Sequence, residues 1–122
     1  MASLAAEVVE AYRSHQLLSH PARLSIALAL LAEGKVSFTE LQKALRVTPG
    51  NLGSHLDKLE KAGLIRKAHA FKPFRFITVY ELTEKGLRET LEYTSKLSNA
   101  LNRALAKTPG GSRANREEAG RQ

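Results

Sequence analysis

The tightest constraint on this chain is a pair of helix-start signals with almost no sequence between them. Ser37-Phe38-Thr39-Glu40 has the S-x-x-E spacing of a capping box, in which a hydroxyl and a carboxylate satisfy N–H groups that a first helical turn leaves unpaired. Thr48-Pro49 repeats the signal: Thr caps, and Pro is tolerated where an N–H has no helical partner. A helix from Phe38 to about Arg46, with Phe38, Leu41, Ala44 and Leu45 inward, therefore stops within two or three residues of a second helix over 49–62. Only a tight turn at Arg46-Val47-Thr48 fits between them, which predicts a helix-turn-helix over about 38–62. The second helix carries Leu52, Leu56 and Leu59 on one face and leaves Gly50, Asn51, Gly53, Ser54, Asp57, Lys58 and Lys61 for the others. Gly50 and Gly53 weaken it by roughly 1 kcal/mol each relative to Ala, a cost that a close approach of backbone to DNA would explain.

Ala62-Gly63 closes that helix, and about 64–82 reads as a two-stranded hairpin, or wing. Pro73 lies at its turn, and its return strand, about 75–82, is rich in β-branched and aromatic residues. Charge collects here. Residues 35–76 carry nine Lys and Arg against three acids, most of the chain's net +7, and no acid lies between Lys61 and Glu81. Such a patch is the footprint of a polyanionic partner; a merely solvated basic surface is the plain alternative. Phe71, Phe74 and Phe76 are the odd feature of the wing. They could pack it onto its own domain, cover a partner subunit, or insert beside a DNA backbone.

The flanking segments read as helices. Ser3 caps a first helix over 4–18, with Leu4, Val8, Ala11, Tyr12 and His15 at helical spacing. Ser19-His20-Pro21 starts a second, Ser19 being the expected cap; Leu24, Ile26, Ala27, Leu28, Leu30 and Leu31 make it apolar on several sides, and so the core helix. Gly34 is placed to end it in a left-handed conformation, and Val36-Ser37-Phe38 can supply a short strand. Thr83 caps a final helix over about 83–106. There Leu87, Leu91, Thr94, Ser98, Leu101 and Leu105 recur at alternating steps of four and three, with Leu97 alongside. That stripe exceeds what so small a domain can cover, so a second copy is expected on it, joined by the first helix; packing of the first helix on the last within one chain is the alternative. The unit is thus 1–107, followed by a polar, Gly-bearing tail, 108–122, in which Arg113, Arg116 and Arg121 are expected to be free to scan anionic surfaces.

Several function classes are set aside. Cys is absent, which removes disulfides, thiolate metal sites and Cys nucleophiles. His15 and His20 stand five apart without an acidic partner, so a structural role outweighs a metal one, and no cofactor is expected. Ser19-His20 and Ser54-His55 lack an orienting acid, so the chain reads as no enzyme. No long apolar run or secretory signal is present, and a cytoplasmic protein without membrane contact is expected.

The fold class is therefore mainly α with a small β-hairpin (α+β), ordered helix, helix, short strand, helix-turn-helix, wing, long helix. Over about residues 17–100 it resembles the small winged-helix transcriptional regulators of the MarR/ArsR-like group, in a compact branch of archaeal and bacterial members. The matching pieces are His20-Pro21-Ala22-Arg23-Leu24, Phe38-Thr39-Glu40-Leu41, Val47-Thr48-Pro49-Gly50-Asn51-Leu52, Ser54-His55-Leu56, Leu59-Glu60-Lys61-Ala62-Gly63-Leu64-Ile65 and Tyr80-Glu81-Leu82-Thr83-Glu84-Lys85-Gly86. The resemblance implies a homodimer with first and last helices paired, here through Leu4, Val8, Tyr12, Leu91, Leu97, Leu101 and Leu105, and two recognition helices in successive major grooves. It departs from the pattern at the wing tip, FKPFRF, where similar proteins are often polar or Gly-bearing, and in lacking the metal ligands of ArsR-like sensors.

The expected function is sequence-specific binding of double-stranded DNA to regulate transcription. Thr48, Pro49 and Gly50 bring the helix N-terminal N–H groups to phosphate. Asn51 and Ser54 reach base edges, Lys58 a base or the backbone, and His55 packs first and meets DNA second. Arg66, Lys67, Lys72 and Arg75 bind phosphate or the neighbouring minor groove. An architectural binder of low specificity and a winged-helix protein-interaction module are the rivals. A cleft between long helix and DNA-binding lobe could hold a small-molecule effector, though no residue names one.

Overall fold

The computed structural model describes residues 3–73 and 75–109, the side chain of Lys72 excepted. Phe74 and the greater part of the expected tail, with its three arginines, lie outside the described residues. The elements are α1 (Leu4–Ser14), α2 (Pro21–Glu33), β1 (Val36–Ser37), α3 (Phe38–Leu45), α4 (Pro49–Lys61), β2 (Ile65–Lys72), β3 (Arg75–Leu82) and α5 (Glu84–Lys107). This is the α+β winged helix that the sequence predicts.

Local capping chemistry sets most boundaries. At α3 both arms of the capping box form: Glu40 N donates to Ser37 Oγ at 3.1 Å, and Ser37 N donates to Glu40 Oε1 at 3.4 Å. Thr48 Oγ1 accepts from Asn51 N at 3.1 Å, and Thr83 Oγ1 from Gly86 N at 3.0 Å. Caps of this kind are worth about 1 kcal/mol each. Arg46 ends α3 in the left-handed region (φ 55°), which lets the chain reverse within the short helix-helix turn.

Three expectations need correction. Helix α1 stops at Ser14 rather than 18, because His15 leaves helical geometry (φ −138°) and the chain turns to drop Leu18 into the core. His20, not Ser19, caps α2: its Nδ1 accepts from Ala22 N at 3.1 Å, while the Ser19 hydroxyl donates to Gln16 O. Leu28 and Ala44 face solvent although both sit among residues expected inside. Gly34 does take a positive φ of 86°, but with ψ −71° it lies off the left-handed helical well.

The sheet is three-stranded and antiparallel, in the order β1-β3-β2. The short strand pairs Val36 with Tyr80 and Ser37 with Val79, so the start of the helix-turn-helix is sewn to the wing. Leu52, Leu56 and Leu59 hold α4 against Ile26, Leu30 and Leu41, all at most 2% exposed. Each such side chain contributes about 1.5–3 kcal/mol by leaving water.

Helix α1 packs on α5 within the chain, so the intramolecular alternative holds for one side of that pair. Arg103 Nη1 donates to both carboxylate oxygens of Glu7, at 2.6 and 2.7 Å, and His15 rests on Tyr93 with ring centroids 5.5 Å apart. The inner face of α5 is Gly86, Thr90, Tyr93 and Ala100. Gly86 is obligatory: a Cβ there would lie 1.8 Å from the Leu64 carbonyl oxygen. No described helix is long and apolar enough to cross a membrane.

Candidate nucleic-acid interface

Helix α4 divides into two faces. Its leucines are buried, while Thr48, Pro49, Gly50, Asn51, Ser54 and Lys58 are exposed. Asn51, Ser54 and Lys58 follow at steps of three and four and so share one stripe. A Cβ built at Gly50 or Gly53 meets nothing within 4 Å, so no packing among the described residues asks for glycine at either place. The outer face of the first two turns is smooth backbone flanked by two short polar side chains.

The wing adds positive charge beside this face, but not all of it is unpaired. Arg66 Nε donates to Glu81 Oε1 at 2.8 Å, and the Lys67 Nζ lies 3.8 Å from Glu60 Oε1 on α4. The Arg66 hydrogen bond, with Lys35 nearby, holds the Glu81 carboxyl below the usual carboxylate range. Arg75 is exposed near the tip, and the side chain of Lys72 falls outside the described set.

His55 stands apart from the other expected contacts. It is 8% exposed, so it does not share the outer face of α4. Arg23 Nη1 lies 3.3 Å from its Nδ1; a guanidinium can only donate, so Nδ1 accepts and the imidazole proton sits on Nε2. Burial pushes the His55 pKa down, helped by the neighbouring charges of His20, Arg23 and Lys58. Arg23 also donates from Nε to Leu17 O at 2.6 Å, so it links the α1–α2 turn to α4. Sequence reasoning gave Arg23 no role; its signal was a lone cation early in an otherwise apolar helix. His20 stacks on His55 with centroids 4.6 Å apart, while His15 packs on Tyr93, so the two histidines once weighed as a metal pair have separate structural partners.

Of the residues expected at a dimer interface, Val8, Tyr12, Leu91, Leu101 and Leu105 are exposed and Leu4 is half-buried. Leu97 is half-buried and packs against the chain's own core. An open cleft of about 700 Å³ lies between the start of α5, the end of α2 and the base of the wing, lined by Leu30, Lys35, Arg66, Glu81 and Leu87 among others.

Comparisons with known proteins agree with this architecture. A family model described as a winged helix DNA-binding domain matches residues 22–101. A transcriptional regulator homologue from Pyrococcus horikoshii OT3 is 38% identical, with a TM-score of 0.69 over 79% of this chain and 94% of that one. The transcriptional regulator BldR from Sulfolobus solfataricus is 25% identical, with a TM-score of 0.62 over 95% and 89%. Apo MarR from E. coli shares the fold at 17% identity, with a TM-score of 0.67 over 98% and 95%. A comparison with curated proteins finds no match. With the matched segment running from α2 deep into α5, the chain belongs to the winged helix DNA-binding domain family.

Proposed function

We propose that two copies of this chain bind one near-palindromic site in duplex DNA and thereby control transcription, in the cytoplasm where that DNA lies. The observation that carries this reading is the outer face of α4. Nothing among the described residues requires Gly50 or Gly53, yet together they clear the backbone's path beside Asn51 and Ser54. Asn51 presents an amide that can pair bidentately with adenine, and Ser54 accepts or donates to either base type. The first-turn N–H groups of α4 meet phosphate, and Arg75 with Lys72 extends the contact along the backbone. Arg66 and Lys67 are partly neutralised by Glu81 and Glu60, which favours readout by shape and base edge over binding by charge alone.

The second copy is called for by α1 and α5. Val8, Tyr12, Leu91, Leu101 and Leu105 remain in water on helices whose other sides are packed. Covering them with the same surface of a twin gives a two-fold axis and half-sites about 10 base pairs apart.

The test is selection of bound fragments from the source genome at near-physiological salt with competitor DNA. Enrichment of one or a few inverted repeats is expected. Broad recovery that vanishes as salt rises would replace this reading with an architectural one, and no recovery even at low salt would leave only protein contacts.

A further inference from the structure

The wing ends in an aromatic pair that the fold does not use. Phe71 and Phe76 face each other across the hairpin register, ring centroids 4.5 Å apart, and are 83% and 68% exposed. The alternative in which the phenylalanines pack the wing onto its own domain is therefore not met at these two positions. His69 on the same face meets the edge of Phe76 at 6.4 Å, which helps fix its direction. Beyond this cross-strand pair and the His69 contact, most of both rings stays in water.

Three observations identify what should cover them. First, the surroundings are cationic: Lys67 and Arg75 lie on the hairpin, Lys72 is in its sequence, and no acid occurs from residue 62 to 80. The occupant must be anionic outside and flat and apolar within, which describes a nucleic acid with its stacked bases. Second, strand alternation puts Phe71 and Phe76 on the sheet face of Lys67, whose ammonium reaches Glu60 on α4. The rings thus look to the side of the sheet on which the recognition helix lies. Third, the hairpin carries the rings well past the point where Lys67 meets α4. Four residues of strand carry Phe71 roughly 13 Å beyond Lys67. The centre of a minor groove lies about half a helical turn, about 17 Å, from the major groove beside it.

We propose that Phe71 and Phe76 form a wedge that enters a base step of the minor groove flanking the α4 contact, unstacks it and kinks the duplex. This rests on the DNA-binding reading above. Lys67 and Arg75 straddle the groove on its phosphates while the rings replace part of the lost base stacking. Each dimer would place two such wedges, one outside each half-site, and sequence preference would extend to flanking steps that deform easily.

The experiment uses full-length chain and the duplexes recovered from the genomic selection. Permanganate oxidises unstacked thymines, and circularly permuted fragments report a bend whatever the base at the step. With the natural chain we expect hyper-reactive thymines at two symmetric positions flanking the protected half-sites, and a position-dependent mobility. F71S/F76S should keep the same protected half-sites, bind about tenfold more weakly, and lose both signals. F71L/F76L should keep both, because aliphatic side chains also serve as wedges. Both rings are exposed, so the variants should stay folded, their thermal melts lowered only slightly by loss of the ring pair.

Protection of the half-sites with no hyper-reactive thymine and no bend would overturn the wedge and leave the regulator reading intact. So would unchanged signals in F71S/F76S, or capture of the tip by anionic lipid vesicles with unstacking absent. Failure to bind any duplex would defeat the regulator reading itself, and the two failures are thereby distinct.

Discussion

Helices α4 and α5 invert each other. Helix α4 hides its leucines, 52, 56 and 59, and shows water two glycines, an amide and a hydroxyl. Helix α5 hides Gly86, Thr90, Tyr93 and Ala100 and shows water Leu87, Leu91, Leu101 and Leu105. The difference tells what each outer face awaits. A small polar face beside positive charge suits the edge of a duplex; a leucine stripe suits another leucine stripe. One fold thus presents a wet surface and a dry one on consecutive helices.

The largest effect should come from a site that joins the two. Gly86→Ala drives a Cβ into the Leu64 carbonyl, at 1.8 Å before any shift. Denaturant unfolding should show a loss of about 4 kcal/mol or more, or no folded protein at all. A cost under about 1 kcal/mol would mean the α4–α5 junction is softer than the geometry states.

Next comes a matched pair. Leu56→Ala should cost about 2–5 kcal/mol in unfolding, from lost burial and a cavity. Leu101→Ala should leave the monomer's stability nearly unchanged yet weaken self-association about a hundredfold, since both copies lose contact, as sedimentation equilibrium would show. Equal unfolding costs and no change in mass would erase the contrast between buried and exposed leucines.

On the polar face, Asn51→Ala should lose about 1–3 kcal/mol of discrimination at one base position. Arg75→Ala should weaken all sequences alike and reduce the salt slope by about 1. Indistinguishable behaviour of the two would dissolve the division between base reading and backbone holding.

The smallest effect concerns His55, whose folded pKa is pushed below its ordinary value of 6.5. The unfolded chain then takes up its proton at higher pH than the folded chain does. The contribution of neutral His55 is complete above about pH 6.5 and fades as pH falls from there through the depressed folded value. Tm should decline over that interval, and His55→Gln should flatten the decline.

What the sequence made legible was what residues settle with near neighbours. Ser37 with Glu40, Thr48 and Thr83 cap where their spacing says, because the partner N–H lies three residues away. The leucine faces of α4 and α5 were equally readable, since periodicity needs no tertiary information. The end of α1 and the cap at His20 were not, because partners distant in sequence, Tyr93 against His15 and His55 against His20, meet them only in the fold. The inner face of α5 was hidden for a further reason: small residues carry no hydrophobic signal, and Gly86 reads as weakness until the Leu64 carbonyl is placed against it.

The same junction has a mechanical meaning. Thr83 N donates to Leu64 O at 3.0 Å, Thr83 Oγ1 to Gly63 O at 2.6 Å and Lys85 Nζ to Ala62 O at 3.0 Å, so the carbonyls of the turn that follows α4 are clasped by the first residues of the long helix. In a paired molecule the gap between the two reading helices would be set by how the long helices cross, as the span of a caliper is set at its pivot. Anything that changed that crossing angle would change which spacing of half-sites the protein can grip, without touching a single residue that meets DNA.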